Sequence, residues 1–298
     1  MEVNIFQVDA FSSKPFGGNP AIVVPNAKRI KEQDMQKIAN EMNVSETAFV
    51  HQLDDDIFRV KFFTPVCEID LCGHATIATF YTMANKGYIK PIYNGTKIAT
   101  LVTNVGKLPV ELHYKNGQVE YILMQQNQIK SCGLDMNIDD ILDIMNLRDE
   151  HIGINDEFYA PEIISTGLQD LIIPIREKYK LDNINVDFCS LSAACRKLNI
   201  TRVHVFNLPK RNSDVVYARN FAPLVGIDEE PATGTASGAL IYYLKKNDLI
   251  SSNMITSLQG DSLKRPSKIY CFIEEDGDDY KVKVGGNANI VMEGILKY

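Results

Sequence analysis

Leu71-Cys72-Gly73-His74-Ala75-Thr76-Ile77-Ala78 is the stretch that decides the fold. Before it, Phe58-Arg59-Val60-Lys61-Phe62-Phe63 reads as a strand, and Pro65 ends it. After it, Ala75, Ile77, Ala78, Tyr81, Met83 and Ala84 follow helical spacing until Gly87. The pattern predicts a strand, a small turn and a helix start. Free N–H groups and the helix dipole make such a start a place for an anion. Gly73 lets backbone approach a ligand, and His74 can exchange a proton near neutral pH. A plainer reading fits the same residues: a tight turn into a core helix, with His74 as a cap.

Working outward, the N-terminal half reads as strands at 3–10 and 21–24 around the turn Gly17-Gly18-Asn19-Pro20. An amphipathic helix from Ile30 to Met42 follows, then a strand with Glu46 at its mouth. A lone Glu there is most simply a solvated loop carboxylate. Thr100 to Tyr114 and Gln118 to Met124 read as strands around Lys115-Asn116-Gly117, a hairpin signal. Ile138 to Leu147 reads as helical.

The second half then repeats the first. Ile184 to Leu198 reads as the counterpart of the first helix, and 202–206 as the strand at 48–50. Val215 to Pro223 lines up with Ile57 to Pro65. Thr233-Gly234-Thr235-Ala236 lines up with Cys72-Gly73-His74-Ala75 before another helical run. The chain closes with strands at 268–275, 280–284 and 290–294 and a turn at Asp276-Gly277-Asp278. A period of about 150–160 residues is too long for a solenoid. It predicts an α+β fold of two similar lobes. Each has strands wrapped on one long central helix. The expected lobes are 1–125, with the last strand (about 287–298) as a possible addition, and 126–286. Two facing helix starts would form a carboxylate or phosphate site at the lobe interface.

Composition narrows the function. The 298 residues are 45% hydrophobic and 23% charged, enough for a substantial core. The net charge of −7 comes with no basic stripe, which argues against nucleic acid. No apolar run reaches membrane-span length, and Met1-Glu2-Val3-Asn4-Ile5-Phe6 does not read as a secretory signal. The six cysteines, Cys67, Cys72, Cys132, Cys189, Cys195 and Cys271, form no C-x-x-C pair. Reduced thiols in a cytoplasm are expected, without zinc or disulfides.

Several motifs together resemble the PhzF-like (phenazine biosynthesis-like) family. They are Gly18-Asn19-Pro20, Ser45-Glu46-Thr47, Phe63-Thr64-Pro65, Glu68 with Leu71 to Thr76, and Glu230 to Ala236. Gly260, Arg265-Pro266-Ser267 and Gly285-Gly286 complete the set. The resemblance spans essentially the whole chain. It implies a diaminopimelate epimerase-like α+β fold of two pseudo-symmetric lobes, each a mostly antiparallel, β-barrel-like sheet wrapped around a central helix, together with a homodimer and an isomerase needing neither metal nor cofactor. Its best-understood member isomerises trans-2,3-dihydro-3-hydroxyanthranilate. By resemblance, Glu46 is the catalytic acid/base, His74 the active-site histidine and Glu230 the second-lobe acid. Asn19, Cys72, Gly73, Gly234 and Thr235 are implied as substrate contacts. Two positions depart from the family pattern: Glu230 stands where Asp is usual, leaving Glu229 as a competitor, and Thr235 replaces Ser.

The chemistry is compatible. A proton moved along a conjugated carboxylate needs one group that takes it from carbon and returns it elsewhere. A carboxylate raised in pKa by an apolar cleft suits that role. A racemase or epimerase with two thiols is the alternative enzyme. Cys72 would be the first thiol, but its counterpart Thr233 cannot ionise usefully. Cys72 is otherwise a small buried apolar residue. A non-catalytic binder of small carboxylates would use the same helix starts without needing Glu46. His51, His113, His151 and His204 are given no role.

Overall fold

The computed structural model describes residues 2–133, 137–277 and 279–298, and in it the opening stretch starts the helix Gly73–Asn85. Ile77, Phe80 and Met83 are buried together with Ala75, Ala78 and Ala84 on its other sides. Apolar residues all round mark a helix enclosed by other elements. Thr76, Thr79 and Thr82 are also buried. Each hydroxyl donates to the carbonyl four residues back, at 2.7–2.8 Å, so none is left unpaired in the core. The second central helix, Gly234–Lys246, is as deeply buried, and the Tyr243 hydroxyl donates to Ala160 O at 2.7 Å.

The chain divides into two compact units, Met1–Gln125 with Gly285–Tyr298, and Gln126–Val284. In the first, Glu2–Ala10 pairs antiparallel with Ala288–Lys297 and with Asn19–Val24. Asn19–Val24 runs parallel to Glu46–Asp54 after the helix Glu32–Met42, whose Met35, Ile38 and Ala39 are buried. Glu46–Asp54 then pairs antiparallel with Ile57–Phe63. The first central helix carries the chain over to Gly95–Thr103, parallel to Ile57–Phe63.

The second unit repeats this order. Glu162–Ser165 is antiparallel to Gln169–Pro174, which is parallel to Arg202–Asn207. Val215–Ala222 follows antiparallel, and after the second central helix Met254–Gln259 runs parallel to it. Each unit is thus a sheet wrapped on its own central helix, as the repeat predicts. No helix among the described residues is long and apolar enough to cross a membrane.

Some boundaries differ from the sequence expectation. The strand expected from Thr100 to Tyr114 is a hairpin, Gly95–Thr103 and Gly106–Lys115, turning at Asn104-Val105. Apolar alternation continues through both arms and hides the turn. The helix expected from Ile184 to Leu198 starts later, as Phe188–Leu198, because the Asp187 side chain caps it there, and a separate short helix, Lys178–Asp182, precedes it. Of the turn expected at Asp276-Gly277-Asp278, Asp278 lies outside the described residues.

His204 lies wholly buried in the strand Arg202–Asn207, with Nδ1 3.1 Å from Asn220 Oδ1. Burial pulls its pKa down to about 4, against the raising effect of the Asn220 contact. An unfolded histidine protonates near pH 6.5, so between pH 6.5 and 4 only the unfolded state takes up this proton. Stability is therefore lost as pH falls through that window, by up to about 3 kcal/mol. Urea denaturation of wild type and His204→Gln at pH 7.5 and pH 4.5 should show the smaller pH loss in the variant. Equal losses would mean that His204 is not held neutral.

Candidate active site

In the first unit, Asn19, Ser45, Glu46, Cys72, Gly73 and His74 come together at one end of the central helix. Glu46 opens its strand and is paired across the parallel register with Ala21. His74 Nε2 faces Glu46 Oε2 at 2.9 Å, both side chains being 11% exposed. Ser45 Oγ lies 3.5 Å from the same nitrogen. On the other side of the ring, Nδ1 is 3.4 Å from Cys72 Sγ and 3.4 Å from the Asn19 amide nitrogen. Glu46 is thus a buried, partnered group and not a solvated loop carboxylate.

The loop that delivers Asn19 is tightly built. Asp9, itself buried, accepts the Phe16 N–H at 2.8 Å. Gly18 has φ +64, and a Cβ there would meet Ala10 O at 2.0 Å. Gly18→Ala should destabilise the protein by at least about 2 kcal/mol, since left-handed strain adds to a backbone clash. A urea midpoint unchanged from wild type would contradict this.

Electrostatics here depart from the sequence expectation. Burial raises the Glu46 carboxyl, but the His74 charge and hydrogen bonds from His74, Ser45 and Cys72 outweigh it, and the net shift is downward. Burial disfavours the imidazolium, yet Cys72 and Glu46 together hold the His74 pKa well above its usual value. Burial and the Glu46 charge push the Cys72 thiol up. The upward shift of Cys72 favours its thiol form, and the opposite shifts of Glu46 and His74 favour the charged form of both. The resting arrangement is a carboxylate–imidazolium pair, not a protonated carboxyl in an apolar pocket.

In the second unit, Glu230 ends the strand Ile227–Glu230, and its carboxylate accepts the Thr233 hydroxyl. Gln259 Nε2 donates to Glu230 O at 2.7 Å. Ser267 Oγ donates to Pro231 O at 2.7 Å, and a Cβ on Gly260 would meet that carbonyl at 2.6 Å. The motif residues Gly260 and Ser267 thus hold the Glu230-Pro231 corner. Glu229 is committed elsewhere: Arg219 grips it through Nε (2.9 Å) and Nη2 (2.8 Å), and Ser262 adds a third bond. Of the two acids, Glu230 is the one at the helix start.

Neither central helix has a side-chain cap. Cys72 makes no capping bond, and the Thr233 hydroxyl goes to Glu230 instead. Their first-turn N–H groups, at Gly73-His74 and Gly234-Thr235, therefore carry no side-chain cap, unlike those of Phe188–Leu198 under Asp187.

One pair escaped the sequence reading. Arg202 Nε and Nη2 reach Asp170 Oδ1 and Oδ2 at 2.6 and 3.0 Å, with side chains 7% and 0% exposed. Arg202 Nη2 also donates to Thr235 Oγ1 at 2.7 Å, and Thr166 Oγ1 donates to Thr235 O at 2.9 Å. Arg202 pairs across the parallel register with Asp170, as Glu46 does with Ala21. Each of the two opens its strand and touches the second residue of its unit's central helix. The available signal was an isolated charge at the mouth of an apolar run, in Asp170-Leu171-Ile172-Ile173 and Arg202-Val203.

Among the described residues, Glu46, Cys72 and His74 are the one group whose metal-ligating atoms lie close together, all within 4.8 Å.

Comparison with known proteins gives a consistent family. The family model described as phenazine biosynthesis-like protein matches residues 8–294. An uncharacterized isomerase of Clostridium acetobutylicum is 33% identical over 303 residues, covering 98% of this chain and 97% of that protein. The crystal structure of a Bacillus anthracis phenazine biosynthesis protein of the PhzF family aligns with a TM-score of 0.87 at 25% identity, covering 100% of both chains. A hydroxyproline epimerase from Agrobacterium vitis, at TM-score 0.62 and 10% identity over 99% of this chain and 91% of that one, shares the fold alone.

Proposed function

This chain belongs to the phenazine biosynthesis-like family, and on that premise we propose that it is an isomerase moving a proton within a small carboxylate substrate. The reaction is similar to that of trans-2,3-dihydro-3-hydroxyanthranilate isomerase, with Glu46 as the acid/base and no cofactor. The observation that carries this reading is the 2.9 Å Glu46–His74 contact beside an uncapped helix start. A base must be within hydrogen-bond reach of its proton and in the correct charge state. Glu46, with its pKa held down by His74, is ionised at neutral pH and ready to accept a proton from carbon. His74 then fixes the carboxylate's orientation and supplies positive charge next to the electron density that the departing proton leaves behind. Once Glu46 has taken the proton, returning it to a different carbon completes the isomerisation.

The N–H groups at Gly73-His74 and at Gly234-Thr235 are assigned to anionic oxygens of the substrate. Glu230 is assigned to a polar group, with Asn19 and Cys72 as further contacts. A two-thiol racemase is disfavoured: at the helix cap corresponding to Cys72 stands Thr233, whose hydroxyl is given to Glu230.

The test is proton NMR in D2O with trans-2,3-dihydro-3-hydroxyanthranilate, followed by a panel of small unsaturated carboxylates. Isomerisation with deuterium entering at carbon is expected for one of them. Ligand-induced stabilisation without turnover or exchange across the panel would favour a non-catalytic carboxylate binder.

A further inference from the structure

We propose that Cys72, His74 and Glu46 form a site for a thiophilic divalent cation, Zn2+ foremost, and that the cation reversibly silences the centre. The inhibition rests on the isomerase reading above; the binding does not.

The donor set is that of an accessible zinc centre: one sulfur, one imidazole nitrogen and one carboxylate oxygen, with the fourth position left for water. Zinc takes sulfur at about 2.3 Å and nitrogen or oxygen at about 2.0–2.2 Å, so neighbouring donors of a tetrahedral site lie roughly 3.3–3.7 Å apart. Cys72 Sγ and His74 Nδ1 are 3.4 Å apart, which is such an edge. One donor atom from each of the three residues falls within 4.8 Å of the others. Glu46 now sits on the Nε2 side of the ring, at 2.9 Å. Turning its carboxylate toward Nδ1 completes the set.

Two of the donors are held by the fold before any ion arrives. They are Cys72 and His74, which flank the first residue of the central helix; Glu46 has its backbone set by strand register, and its side chain supplies the movement. The thiol gives the selectivity: sulfur favours Zn2+ and Co2+ over Mg2+ and Ca2+. Binding releases two protons to solvent, the thiol proton of Cys72 and the Nδ1 proton of the His74 imidazolium, as the metal–sulfur and metal–nitrogen bonds form, with no change of oxidation state. An ion in this position uses the carboxylate that takes the substrate proton and the imidazole that orients it. Occupancy and turnover therefore exclude each other.

Co2+ is the probe, because a cobalt–thiolate bond gives a near-ultraviolet charge-transfer band. Titration of the reduced protein should produce that band at a 1:1 endpoint, displaced by Zn2+ but not by Mg2+. Cys72→Ser, a substitution a helix cap accepts, should remove the band and weaken Zn2+ by more than about 100-fold in a competing-chelator assay. His74→Gln should weaken it comparably, and Cys67→Ser should change nothing. Retention of the band in folded Cys72→Ser, or equal Zn2+ affinity in wild type and His74→Gln, would overturn the proposal. These readouts need no substrate, so their failure leaves the isomerase reading intact, and absence of turnover leaves the metal site intact. Where turnover is found, Zn2+ should abolish it and a chelator restore it; full activity in zinc-saturated protein would remove the silencing role.

Discussion

Glu46→Gln is expected to reduce turnover by about 10²–10⁴-fold, the range that a positioned acid/base contributes. Gln keeps the side chain's length and shape but cannot take a proton from carbon. The variant should also keep its fold, because Glu46 adds its one charged contact, to His74, at the rim of a core formed by other residues. What it loses is the negative charge that holds His74 protonated. The His74 pKa should fall in the variant, a change that NMR of the imidazole would report. Ligand binding through the helix start should persist, since backbone N–H groups provide it. Loss of turnover with binding retained is the signature of the proposed role. Turnover within threefold of wild type would remove Glu46 from the chemistry.

Asp170→Leu is expected to destabilise the protein by about 3–5 kcal/mol, the cost of leaving one member of a buried ion pair without its partner. The Arg202 guanidinium is 7% exposed, and the two Asp170 oxygens take its Nε and Nη2. Without them a cation stays inside the second unit with the Thr235 hydroxyl as its remaining hydrogen-bond acceptor among the described residues. The double change Asp170→Leu with Arg202→Met should recover most of the loss, because well-packed apolar residues replace a buried pair at little cost. It should not recover the tether from Arg202 to Thr235. The two effects therefore separate: urea midpoints follow the ion pair, whereas affinity for a carboxylate ligand follows the helix start. A double variant as unstable as the single one would mean that Arg202 contributes mainly through Thr235.

Much of this was legible in the chain. The strand–turn–helix reading at Leu71 to Ala78 became a central helix starting at Gly73, and its echo at Thr233 became the second. Periodicity and turn residues act within a few positions, so they are visible in sequence. The hairpin at Asn104-Val105 was missed because apolar alternation runs on through both arms. The pKa of Glu46 was misread because burial alone predicts a rise, whereas the partner that reverses it comes from another element. Arg202 and Asp170 do not stand out in the sequence, since nothing local pairs them.

The sequence alone determined the α+β class, the duplication and the two Gly-containing helix starts, because local hydrophobic period and backbone preference encode them. Tertiary structure decided which charges meet. Parallel register places Glu46 at the strand mouth beside His74, and Arg202 against Asp170 and Thr235. A charge's partner, its burial and hence its protonation depend on residues far apart in the chain that only the folded sheet brings within 3 Å.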